Sequence, residues 1–113
     1  MKKLDKFRGV VNIILDSNIQ IRRANVRSAS EEFIKFIGDV ALNVLKEVIQ
    51  LSGYYLNKLD VHFEVIRKIG SKRVKSKARK RLCVKHSDVV FLLLKSVYKI
   101  LFKSKNQITN QNG

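Results

Sequence analysis

Nine lysines and arginines fall within the fifteen positions of residues 67–81, and no acid interrupts them. Such side chains do one kind of chemistry well. Ammonium groups hold phosphate oxygens as point charges, and guanidinium groups hold them as bidentate forks. The rest of the chain leans the same way, with 24 basic residues against nine acidic ones, a net charge of +15 and a pI near 10.3 in 113 residues. Self-repulsion on that scale is tolerated when a polyanion neutralises it, so nucleic acid is the first partner class and an anionic membrane surface the second.

Catalytic chemistry finds no comparable grouping. Cys83 is the single cysteine, which excludes an internal disulfide and suits a reduced, intracellular setting. Lys85 and His86 are close to it in sequence, but a small buried hydrophobe is the expected role. His62 and His86 stand 24 residues apart and one cysteine completes no zinc site, so no metal is expected. There is no glycine-rich phosphate loop and the carboxylates are scattered, so neither an enzyme nor a cofactor or small-molecule substrate is expected. The start MKKLDKFRGVVNIILDSN lacks the apolar length and the cleavage site of a signal peptide. The longest apolar run, residues 89–94, has six members against the roughly 20 that a spanning helix needs.

The elements that must position the basic residues read as helices. Five glycines and no proline leave few turn formers, and 45% apolar content supplies a core. Val11, Ile14, Leu15 and Asn18 follow helical spacing, with Leu4 and Phe7 extending it backwards. A basic connection, IRRANVRSAS, follows. Ser28 with Glu31 makes a capping box, and Ser30 before Glu31 and Glu32 is an equally good start. From there Ile34, Ile37, Ala41, Val44, Val48, Leu51 and Tyr55 predict one central helix over residues 30–58, continuing as far as Gly70. To residue 58 it would be about 43 Å long and apolar round much of its circumference, which suits cover from a second subunit. The run to Arg81 reads as a mobile, solvated segment. A last helix is expected from about His86 to Lys103, with Val89 or Val90, Leu93, Val97, Ile100 and Leu101 inward. Residues 1–103 are then one domain with a basic insertion at 60–80, and 104–113 a polar, disordered tail.

Short helix, basic loop, long helix, basic loop and short helix resemble the histone fold. IRRANVRSASEE is similar to the arginine-rich first loop and long-helix start of archaeal histones and core histone four. RLCVKHSDVVFLLLK is similar to their second loop and third-helix start, with Arg81, Val84 and Asp88 at the positions of the basic residue, the valine and the aspartate. The likeness covers residues from about 10 to 58 and from 79 to 100. It departs at Leu82 and Cys83, where the family has a basic residue and a threonine, at Ser28, where the family's first-loop arginine falls one place after Arg27, and at the insertion.

The resemblance implies an all-α histone fold with an extended basic second loop, and an Arg81–Asp88 salt bridge clipping that loop to the last helix. It also implies a homodimer or heterodimer through Ile37, Ala41, Val44, Val48, Leu51 and Tyr55. Arg22, Arg23 and Arg27 would meet Lys80 and Arg81 of the other chain on a shared surface for duplex DNA. Lys72, Arg73, Lys75, Lys77 and Arg79 of the insertion would extend that surface. Location in chromatin follows, in a nucleus, a nucleoid or a virion. The alternative is a histone-fold heterodimerisation subunit of a centromere, repair or transcription complex. RNA binding has less in its favour, because no aromatics interleave the basic run.

Overall fold

The computed structural model describes the backbone of residues 2–103 and the side chains of residues 5–102. The tail expected at 104–113 lies outside the described residues. All described regular structure is helical: α1 Lys2–Asp16, α2 Ile19–Arg27, α3 Glu31–Leu45, α4 Gly53–Asp60, α5 Phe63–Gly70, α6 Ser76–Lys85 and α7 Ser87–Tyr98, followed by a π-helical turn Lys99–Lys103. Among the described residues no helix is long and apolar enough to cross a membrane.

Helix α3 is the hub. Phe33, Ile34, Phe36, Ile37, Val40 and Ala41 are all buried, so α1, α5, α6 and α7 must surround it. Of the two starts the sequence offers, Ser30 is the one used: the Phe33 amide donates to its hydroxyl at 3.1 Å, while the Ser28 hydroxyl donates back to the Ala24 carbonyl. Phe7 of α1 stacks on Phe36 at 4.7 Å and tilts against Phe33 at 5.7 Å, which fastens α1 across the hub. Val89, Val90, Leu93, Leu94 and Val97 of α7 enter the same apolar cluster, as does Phe102 beyond it. Helix α5 approaches so closely that a Cβ on Gly70 would stand 2.9 Å from the Leu42 amide nitrogen.

The single central helix expected over residues 30–58 is divided. Leu45 ends α3, and the amides of Glu47 and Val48 donate back to the carbonyls of Val44 and Asn43, at 3.1 and 2.9 Å. These two bonds make a Schellman ending, whose turning residue takes the left-handed conformation. That residue is Glu47, at φ 61°. The chain then restarts at Ser52, whose hydroxyl accepts the Tyr55 amide at 3.5 Å. Division lets α5 fold back along α3, so the apolar faces cover one another within one chain. The expected dimer residues are redistributed accordingly. Ile37 and Ala41 are fully buried in the chain's own core, Val44, Leu51 and Tyr55 are half-buried, and Val48 is exposed.

Two further expectations are corrected. The IRRANVR stretch is helix α2 rather than a connection, begun by Asn18, whose side-chain oxygen accepts the Ile21 amide at 2.9 Å. The basic run is ordered from Ser76 onward as α6, because Leu82, Cys83 and Val84 pack its inner side against the core. Residues 82–84 are therefore helical, where the histone likeness implied an extended pairing segment.

Candidate nucleic-acid interface

Helix α6 carries Lys77, Arg81 and Lys85 at intervals of four, so the three project along one face. That face lies beside the C-terminal end of α2, where Arg27 is exposed. Together with Lys80 and Val84 they line a shallow groove of about 510 Å³ that no acidic residue enters. Like charges four apart weaken an isolated helix by a few tenths of a kcal/mol per pair. The groove is thus held together against its own repulsion, and an anion seated in it relieves that cost.

Main-chain acceptors hold the groove in shape. Lys80 Nζ donates to the Ala29 carbonyl at 2.8 Å, which ties α6 to the corner between α2 and α3. Ser76 Oγ lies 3.3 Å from Glu31 Oε1 and makes a second tie across the same corner. Arg79 points the other way. Its Nε donates to the Ile69 carbonyl at 2.9 Å and its Nη2 to those of Ser71 and Val74 at 2.8 and 3.3 Å. The guanidinium closes the open end of α5 and lies over Gly38, where a Cβ would come within 2.8 Å of Nε.

The basic residues expected to bind DNA accordingly separate into groups. Arg27, Lys77, Lys80 and Arg81 share the groove. Arg23 is exposed one turn before Arg27 on α2. Lys72, Arg73 and Lys75 are exposed on the connection before α6, and the Arg73 amide donates to Ser71 Oγ at 3.2 Å. Arg79 is engaged by the fold. So is Arg22, whose guanidinium stacks 3.6 Å from the Phe91 ring centre and donates to the Ser17 carbonyl at 3.1 Å. Its buried Nε has no acceptor, and the ring face supplies the attraction instead. Lys85 was not expected, although its spacing of four from Arg81 was a signal for it.

The clip implied between Arg81 and Asp88 is not formed. Both side chains are exposed, and the ion pairs among the described residues are Lys6–Glu32 at 2.9 Å and Glu64–Arg67 at 2.6 Å. Arg81 faces the groove, while Asp88 sits in the first turn of α7, where a carboxylate suits the helix dipole. The Arg27 encounter with Lys80 and Arg81, expected between two chains, occurs within one.

Nucleophilic chemistry is disfavoured at Cys83. The side chain is fully buried, and burial pushes its thiol up to about 12, with the Arg79 charge pulling only partly back. A thiol so rarely ionised is a poor nucleophile. His86 is the residue between α6 and α7 and His62 precedes α5, neither capping with its side chain. Among the described residues no three His, Cys, Asp or Glu side chains gather where they could hold a metal ion. No family model matches the chain, and no curated protein or solved structure shows significant similarity to it.

Proposed function

We propose that this chain binds duplex DNA, chiefly through phosphate contacts and without reading base sequence, and that the groove between α2 and α6 is the centre of the contact. The observation that carries this reading is the groove itself: four exposed cations, Arg27, Lys77, Arg81 and Lys85, on one surface with no acid among them, and Lys80 beside them with its ammonium on the Ala29 carbonyl. Cations spaced along a helix face neutralise successive phosphates and release their counterions, which needs no hydrogen bond to a base edge. Arg23 and the exposed Lys72, Arg73 and Lys75 add charge around that centre. Pairing of two chains through one uninterrupted histone-type helix forms no part of the reading, since residues 46–52 divide that helix and Ile37 and Ala41 serve the chain's own core.

The test is the salt dependence of affinity for random-sequence duplexes. Replacing Lys77, Arg81 and Lys85 with glutamine removes up to three phosphate contacts and should flatten the slope of log affinity against log salt by up to about 2.7. Replacing Lys72, Arg73 and Lys75 should flatten it less. An unchanged slope in the first variant, with its helical content intact, would overturn the assignment. Equal or tighter binding to a duplex RNA of the same length would move the substrate class to A-form helices.

A further inference from the structure

The positive charge is not spread evenly. Residues 44–67 carry Lys46, Lys58 and Arg67 against Glu47, Asp60 and Glu64, a net of zero in which Glu64 pairs with Arg67, so the whole +15 lies on the remainder of the chain. Five of the nine large apolar side chains exposed among the described residues fall in this same stretch: Val48, Tyr54, Leu56, Val61 and Phe63. Val48 is 70% exposed and Val61 80%. Leu56 and Phe63 line a groove of about 520 Å³ with Val44, Ile49 and Leu51, and Glu47 and Asp60 lie on it. The groove sits at the C-terminal end of α3, whereas the basic groove adjoins its N-terminal end, about 22 Å away along the helix axis.

We infer that this neutral apolar end is the seat of a second copy of the chain, joined about a two-fold axis. Two molecules of charge +15 repel wherever their basic surfaces face, so the end that carries no net positive charge is where their approach costs least. A two-fold contact sets the same patch against itself. Each copy brings both Lys46 and Lys58 and both Glu47 and Asp60, so the patch is self-complementary in charge as well as apolar. Val48 and Phe63 of each chain cover the partner's groove. The two basic grooves then lie at the far ends of the dimer, and one dimer grips two stretches of duplex or bridges two duplexes. That bivalence rests on the DNA reading above, whereas the dimer does not.

Salt separates the two. Screening weakens phosphate contacts but relieves the repulsion between copies, so the dimer should tighten as salt rises while DNA binding loosens. Sedimentation equilibrium of the full chain without DNA, from low to physiological salt, reads the first directly. Val48→Glu and, separately, Val61→Glu should each weaken dimerisation roughly tenfold or more. Both side chains are exposed, so helical content and thermal unfolding should be retained. Both variants should still bind a short duplex with room for one protein. A chain that stays monomeric at high micromolar concentration across the salt range overturns the inference, as does a dimer that neither substitution weakens. A parent protein that dimerises but does not bind the short duplex would instead count against the DNA reading and leave the dimer standing.

Discussion

Lys80 reaches across 51 positions of sequence to place its ammonium 2.8 Å from the carbonyl oxygen of Ala29. With the Ser76–Glu31 contact, this bond ties α6 to the corner between α2 and α3, where Arg27 lies alongside Lys77, Arg81 and Lys85. The three α6 cations therefore repel one another in a fixed frame. Glutamine at 77, 81 and 85 should raise stability at low salt by about 0.5 kcal/mol, from two like-charged pairs four apart, while DNA affinity falls. Urea unfolding at two salt concentrations checks this, since the gain should shrink as salt screens the parent's repulsion.

Arg79 and Gly38 form a coupled pair. The arginine's three carbonyl bonds pin its side chain over the glycine, so a methyl group at position 38 has nowhere to go. Gly38→Ala should destabilise the protein, and Arg79→Ala should cost about 1–3 kcal/mol through carbonyls left without a donor. In the Arg79→Ala background the alanine at 38 should instead stabilise, by up to about 1 kcal/mol from helix propensity. A double-mutant cycle by chemical denaturation measures the coupling. Additive effects would show that the guanidinium does not constrain Gly38.

Glu47 occupies the left-handed position that ends α3, at φ 61°. A Cβ there is crowded, at a cost of about 1–2 kcal/mol that glycine avoids while losing some of the gain to its own chain entropy. Glu47→Gly should therefore raise stability by about 0.5–1 kcal/mol. Glu47→Val should lower it. If glycine lowers the denaturation midpoint, a continuous helix through residues 46–52 would be the better description.

Cys83 links burial to alkaline pH. Its ordinary value is 9.0 and the folded protein holds it near 12, so in that window the unfolded chain has lost a proton that the native chain keeps. The unfolded state then binds fewer protons, and stability must fall as pH rises. The contribution is complete below pH 9.0 and is lost between 9.0 and about 12. Cys83→Ala should show a shallower decline over that range than the parent. Alkylation by iodoacetamide at neutral pH should proceed only as fast as the protein opens.

The sequence by itself determined the helical class, the excess of positive charge and several element ends. Ile100, expected inward, is exposed, but Ser30 starts α3, α5 stops at Gly70, and Leu93, Val97 and both of the alternatives Val89 and Val90 face inward. Each of these depends on neighbours within a turn or two, or on composition, and both are visible in a string of side chains. Tertiary structure decided the break at residues 46–52, where Val44, Val48, Leu51 and Tyr55 keep helical spacing through a turn made by main-chain hydrogen bonds. It also decided which cations remain free for a partner. Arg79 and Lys80 are adjacent in a run that looks uniformly solvated, yet one closes α5 and the other ties α6 to Ala29. Their acceptors are backbone carbonyls, which every residue possesses, so nothing in the side-chain pattern marks them until the fold brings them within reach.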